Sequence, residues 1–292
     1  MIFTIESESL VVQVNLKGME LCSIRSKATG REYLWQGDPQ FWTGQAPVLF
    51  PIIGALKDGK TSFNGKDYAL PKHGFIRNSM LGKLIKQESD RLVFLVKSSP
   101  ETKAVYPFEF SFELTYEISG KALIVSHQIT NRGDESMYYS LGGHPAFNLP
   151  MSSNEKLEDY SVVFPKEETD HTWFIAEEGL IGGEGDLLLD HSKEIQLNDH
   201  IFDGDALIFK HLKSRSVSLV HAERGPFIRV DFEDFDYLGI WAKPGAPYVC
   251  LEPWLGIADS VNHSGKLVDK EGIRMLPANA SETKEFTIHI ME

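Results

Sequence analysis

Four short segments set a proton-handling side chain among glycine, proline and aromatic neighbours. LPKHGFIR (70–77) carries His73 and Arg77, and LGGHPAFNL (141–149) carries His144. VCLEPWLG (249–256) carries Glu252, and FDGDALIF (202–209) carries Asp205. Two imidazoles and a carboxylate suit general acid–base catalysis, in which one group delivers a proton while another removes one. The residues around Glu252, from Val249 to Trp254, are apolar, so this carboxylate is expected to be partly buried and to need partners. Burial would raise its pKa towards neutrality, where a base works best.

The same residue types leave other chemistries open. Glycoside hydrolysis needs two carboxylates flanking the scissile bond, which Glu252 and Asp205 supply in type, but it leaves both histidines idle. A metal hydrolase would take His73, His144 and Glu252 as ligands, although no closely spaced pair such as HExxH occurs. Plainer explanations also exist. His127 sits in phase with Leu123, Val125 and Ile129 and reads as a core histidine, and the other seven histidines lack the setting of His73 and His144. Asp205 could simply satisfy a turn. Phe75, Phe147 and Trp254 would stack on an apolar ligand face or pack as ordinary core. Lys57, Lys72 and Arg77 together have the charge for one phosphate group, with solvated surface cations as the default.

The elements that must position these residues are strands. From Phe108 to Ile118 the chain reads FEFSFELTYEI, placing Phe108, Phe110, Phe112, Leu114, Tyr116 and Ile118 on one face. Glu109, Ser111, Glu113, Thr115 and Glu117 take the other, expected to be wet. Ser119 and Gly120 then turn the chain into a partner strand, KALIVSHQITN. Similar alternation recurs at 10–16, 91–96, 217–221, 227–233 and 285–291. No dozen-residue window keeps a helical apolar spacing without a Gly or Pro breaking it. The chain is therefore expected to be all-β, with two large antiparallel sheets packed as a sandwich in one domain spanning 1–292. Residues 151–200 are looser and more polar and are expected to form an elaborated loop region of that domain.

Composition narrows the partners. The 292 residues carry 29 basic and 42 acidic side chains, a net charge of −13 that repels nucleic acid and anionic membranes. The N-terminus has no signal-peptide pattern, and no apolar run reaches the length of a membrane-spanning helix. Cys22 and Cys250, each in an apolar stretch, read as buried thiols of a reducing cytosol, so a cytoplasmic location is expected.

HGFIR, GGHPAFN and LEPW, in that order, together with FWTGQAPVLFPIIGALKDG at 41–59, resemble the aldose 1-epimerase family, in the branch that includes LacX-like proteins. That resemblance covers most of the chain. It implies a β-supersandwich that interconverts the α and β anomers of a free aldose or sugar phosphate, with no metal, nucleotide or redox cofactor. It further implies that His144 protonates the ring oxygen, Glu252 takes the C1 hydroxyl proton, His73 polarises the sugar near its ring oxygen and Asp205 holds sugar hydroxyls. His144 would have to be protonated when substrate arrives. One departure stands out. The glycine-arginine motif of typical galactose mutarotases is replaced by PIIGALKDG, and Arg77 is positioned in sequence to supply the guanidinium instead, as in branches resembling hexose-6-phosphate mutarotases. A sugar-binding or sensing protein without turnover remains the alternative from a different class.

Overall fold

The computed structural model describes residues 1–291. Every strand predicted from alternation forms. The largest sheet has nine antiparallel strands, in the order Leu189–Gln196, Tyr160–Asp170, Ser216–His221, Gly225–Asp231, Ser281–Ile290, Ala122–Asn131, Phe110–Ser119, Arg91–Lys97 and Lys83–Gln87. A second sheet of six strands has Tyr248–Leu255 at its centre, between Tyr237–Trp241 on one side and Leu141–Gly143 on the other. Ala146–Asn148 also pairs with that central strand. Ile2–Glu6, Leu10–Asn15 and Glu20–Ser26 make a smaller sheet of their own. The chain is an all-β supersandwich.

One continuous core lies between these sheets. It draws Val12 and Ile24 from the small sheet, Phe112, Leu114, Val125 and Phe286 from the nine-stranded one, and Leu141, Val249 and Leu251 from the six-stranded one. Phe50, beside the short strand Val48–Leu49, stacks on Phe112 with ring centroids 4.9 Å apart, tying the two large sheets face to face. Along Tyr248–Leu255, Tyr248, Val249, Cys250, Leu251 and Leu255 belong to this core, while Trp254 joins a separate apolar cluster with Ile53, Ile181 and Ile208.

Three expectations need correction. The second face of Phe110–Ser119 is not uniformly wet, because Ser111 and Thr115 are buried; Arg132 covers Ser111, donating Nε–H to its hydroxyl at 3.2 Å. Residues 151–200 are largely strand. Tyr160–Asp170 and Leu189–Gln196 extend the nine-stranded sheet, and Trp173–Ile175 with Ile181–Glu184 forms a hairpin. Their pattern was obscured because the pairing shifts register between Val163 and Glu168, around Pro165, and again before Asp170. One short helix, Pro100–Val105, was also missed. At six residues it is too short to show a helical period, although Ser99 and Thr102 cap it reciprocally and Pro100 opens it.

His127 illustrates how such a core treats a titratable group. Its ring stacks on Phe286 with centroids 5.8 Å apart, and Nδ1–H donates to the Lys284 carbonyl at 3.1 Å. Burial pushes its pKa down to about 4 from 6.5. Protons therefore bind the unfolded chain more readily. Stability linked to this group is fully present above pH 6.5 and is lost as the pH falls towards 4, by roughly 3 kcal/mol. Urea unfolding measured across that window is expected to give a shallower pH slope for His127→Phe than for the parent chain. Equal slopes would mean that His127 titrates alike in both states.

Candidate active site

Strand register brings the site together. Leu141–Gly143 and Ala146–Asn148 pair with the same central strand, at Gly142↔Trp254 and Ala146↔Cys250. Between them Pro145, which has no N–H, interrupts the ladder but still accepts from the Leu251 N–H at 3.1 Å. The unchanged register across this gap sets His144 opposite Glu252. Cross-strand neighbours stand close enough for side chains to touch, and His144 Nε2 lies 3.2 Å from Glu252 Oε2.

Both groups are enclosed. Glu252 is 1% exposed and His144 7%. Trp254 covers the strand beside Glu252, and it fits because the flanking strands carry glycine: a Cβ at Gly239 or Gly142 would come within 2.7 or 2.8 Å of the indole. Trp42 stacks on the His144 ring at 4.9 Å and a 30° tilt, and Trp241 meets the same ring edge-on at 5.7 Å. Trp42 is held in turn by its own carbonyl, which accepts from the Trp35 indole N–H at 2.8 Å.

His73 arrives from a tight turn in which the Gly74 N–H donates to the Pro71 carbonyl. Its φ of 67° is unusual for a side-chain-bearing residue and is maintained by two bonds to Gly54, one at the backbone and one at the ring. The His73 N–H donates to the Gly54 carbonyl at 2.9 Å, and the Gly54 N–H donates to His73 Nδ1 at 3.2 Å. With Nδ1 an acceptor, the neutral ring carries its proton on Nε2 and is a hydrogen-bond donor. The two imidazoles meet edge to face, 5.9 Å between centroids.

A buried polar cluster fixes the segment that holds His73. Asp259 accepts from Lys270 Nζ at 2.8 Å and from the Lys57 N–H at 3.0 Å, and its Oδ2 lies 3.1 Å from His263 Nδ1. Its backbone N–H donates to the Ala55 carbonyl, and its own carbonyl accepts from the Ile181 N–H. The 54–57 segment and the Trp173–Glu184 hairpin are thereby joined at one residue.

Burial sets the protonation states. It raises the pKa of Glu252 well above 4.5, against the pull of Lys72 and Arg77. It lowers His144 to about 3, helped by the positive charge of Arg77. His73 is held well below 6.5 by burial and then by His144. Both shifts favour the uncharged forms of the pair, a carboxyl at Glu252 and a neutral imidazole at His144, against the expectation of a protonated His144.

His73, Arg77, His144, Asp205, Glu252 and Trp254 all line one cavity of about 180 Å³. Arg77 follows the histidine turn, on the short helix Ile76–Asn78. Asp205 is exposed at the cavity edge, where its Oδ1 accepts from the Ala206 N–H. Phe75 does not line the cavity; it packs with Phe50, Tyr106 and Phe110 in the core. Phe147 is fully buried core. The three-cation pocket is not assembled, because Lys72 and Arg77 reach the cavity while Lys57 Nζ turns to the His263 carbonyl at 3.4 Å.

Sequence reasoning passed over Trp42, Trp241 and the aliphatic wall of Ile53, Ile175, Ile181 and Ile208. The tryptophans carried a faint signal, each lying two residues from a glycine, Gly44 and Gly239. The isoleucines carried none. Ile175 and Ile181 come from the hairpin, which covers the cavity and is anchored by Lys210 Nζ lying 3.4 Å from the centre of the Trp173 ring. Among the described residues the three-residue group with metal-ligand chemistry is His144, Cys250 and Glu252, not the His73, His144 and Glu252 set expected for a metal hydrolase.

Known proteins resemble this chain over its full length. The family model described as aldose 1-epimerase matches residues 1–271. Two LacX proteins of Lactococcus lactis subsp. lactis, one chromosomal and one plasmid-borne, are 35% and 34% identical over 301 residues, covering 100% of both partners in each case. A solved galactose mutarotase related enzyme from Lactobacillus acidophilus superimposes with a TM-score of 0.92 at 32% identity, covering 100% of this chain and 98% of its own. A galactose mutarotase-like protein from Lactobacillus casei gives a TM-score of 0.92 at 27% identity, covering 99% and 100%.

Proposed function

The chain belongs to the aldose 1-epimerase family, and from that premise we propose that it interconverts the α and β anomers of a hexose or hexose phosphate by general acid–base catalysis. The observation that carries this reading is the His144–Glu252 contact at 3.2 Å in the wall of a cavity sized for one small molecule. His73 adds a fixed N–H donor to the same cavity. Asp205, Arg77 and Lys72 offer polar contacts for hydroxyls or a phosphate, and Trp254 a flat apolar surface.

The proton inventory fits ring opening. Passing the shared proton from Glu252 to His144 gives a carboxylate beside an imidazolium. His144 then protonates the ring oxygen as the C1–O5 bond breaks, and Glu252 takes the C1 hydroxyl proton as the aldehyde forms. The pair thereby returns to the neutral form that burial favours. Rotation about C1–C2 presents the other carbonyl face, and closure repeats the transfers in reverse. His73, donating Nε2–H, is assigned to the ring oxygen as a polarising contact. No cofactor takes part in these steps.

A further expectation follows from the neutral pair. Because burial holds His144 at about 3 and keeps His73 well below 6.5, kcat/KM for anomer exchange is expected to persist as the pH is lowered from about 7 to about 5. A pH–rate profile, corrected for buffer-catalysed mutarotation, measures it. A fall of tenfold across that interval would show a group that must be unprotonated and that titrates near the ordinary histidine value, contrary to this assignment.

The second reading is a sugar-binding protein without turnover. Asp205, Arg77, Lys72 and Trp254 at the cavity favour it, since such contacts recognise a sugar without turning it over. Exchange NMR on a panel of aldoses and sugar phosphates separates the two: enzyme-dependent exchange supports the isomerase, and saturable binding without it supports the sensor. Two buried, unpaired thiols support a reducing compartment, and a cytoplasmic location is proposed on that basis. A core reaching from Ile5 to Ile290 supports a single domain.

A further inference from the structure

We propose that His144, Cys250 and Glu252 form a binding site for a thiophilic divalent cation of the Zn²⁺ type, and that filling it takes the acid–base pair out of action. The cation binding stands apart from the isomerase reading; only the loss of activity rests on it.

Placement brings the three donors together. Cys250 and Glu252 are two residues apart on one strand and so project to the same side, while His144 is the register partner of Glu252. One ligand atom from each lies within 4.8 Å of the other two. The 3.2 Å between His144 Nε2 and Glu252 Oε2 is close to the separation, about 3.3 Å, of two ligand atoms each 2.0–2.1 Å from a tetrahedral zinc. The sulfur has at most about an ångström to close, given a zinc–sulfur bond of about 2.3 Å.

The donors are also underused. Glu252 Oε2 is buried without a hydrogen-bond partner, and Cys250 is a buried free thiol. Thiolate, imidazole and carboxylate make a donor set that soft and borderline cations prefer. Binding releases two protons, one from the thiol and one from the carboxyl, and the resulting Zn²⁺–thiolate–carboxylate unit is neutral, as a buried site requires. Entry is through the cavity that His144 and Glu252 line. Arg77 and Lys72 oppose a cation there, and Asp205 offsets part of their charge. A bound metal occupies the imidazole nitrogen and carboxylate oxygen between which the catalytic proton must pass, so proton transfer stops.

Cobalt and zinc test it. Titration of the purified protein with Co²⁺ is expected to produce a thiolate-to-cobalt charge-transfer band that saturates at one equivalent. The band should vanish in both Cys250→Ser and Cys250→Ala and persist in Cys22→Ser. Zn²⁺ should inhibit anomer exchange reversibly, with activity restored by chelator. Loss of an outer-shell partner alone weakens metal binding about 10- to 100-fold, so the Cys250 variants, with zinc-free rates unchanged, should need at least about tenfold more Zn²⁺ for half-inhibition. Absence of the band, its survival in both Cys250 variants, or equal zinc sensitivity of variant and parent overturns the proposal. If the parent chain exchanges no anomers at all, the isomerase reading fails, and the cobalt band still decides the metal site.

Discussion

Glu252→Gln is expected to lower kcat for anomer exchange about 10²- to 10⁴-fold while leaving KM within a few-fold. The amide has the shape of the carboxylic acid it replaces and, like the protonated carboxyl, can donate a hydrogen bond to His144. It cannot release that proton or take one from the C1 hydroxyl. The loss therefore falls on the chemical step. Stability should move the other way. Burial raises the pKa of Glu252 in the folded chain, so its stabilising contribution is complete below about 4.5 and is lost as the pH climbs through the folded value. A neutral amide escapes that loss, and Glu252→Gln should be at least as stable as the parent at neutral pH, by a larger margin as the pH rises. Progress curves from pure α-anomer, followed by polarimetry, give the rate. A variant that exchanges anomers at the parental rate would falsify the assignment of Glu252.

His144→Ala is expected to cost a similar factor, about 10²–10⁴ in kcat, and the double variant adds the sharper test. Residues that act as a unit are strongly non-additive. One proton moves through both groups, so once either is gone the path is broken. Glu252→Gln with His144→Ala together should fall within about tenfold of the slower single variant. Independent contributions would instead multiply. Truncation at 144 also removes the ring on which Trp42 stacks, at 4.9 Å, so binding is measured separately, by quenching of tryptophan fluorescence with sugar. A double variant whose defect equals the product of the singles would mean that the two side chains serve different steps.

Much of this was legible in the chain before folding. Alternation is a property of adjacent residues, so the strands around Phe112, Val125, Leu219 and Ile288 could be read directly, and with them the all-β class. The chemical types of His73, His144 and Glu252 were equally plain, as were the motifs HGFIR, GGHPAFN and LEPW that ally the chain with its family. Bulges erased the signal where Pro165 interrupts Tyr160–Asp170, and a six-residue helix never accumulated one.

What tertiary structure alone decided concerns distance and dielectric. Only the pairing Gly142↔Trp254 and Ala146↔Cys250 sets His144 against Glu252, and only their shared enclosure shifts both groups towards their uncharged forms. The packing of Phe75 into the core, the turning of Lys57 away from the cavity and the closing of a hairpin over it are likewise long-range outcomes. Periodicity records how a residue relates to its sequence neighbours. Register and burial arise from segments far apart in the chain, and no local pattern contains them.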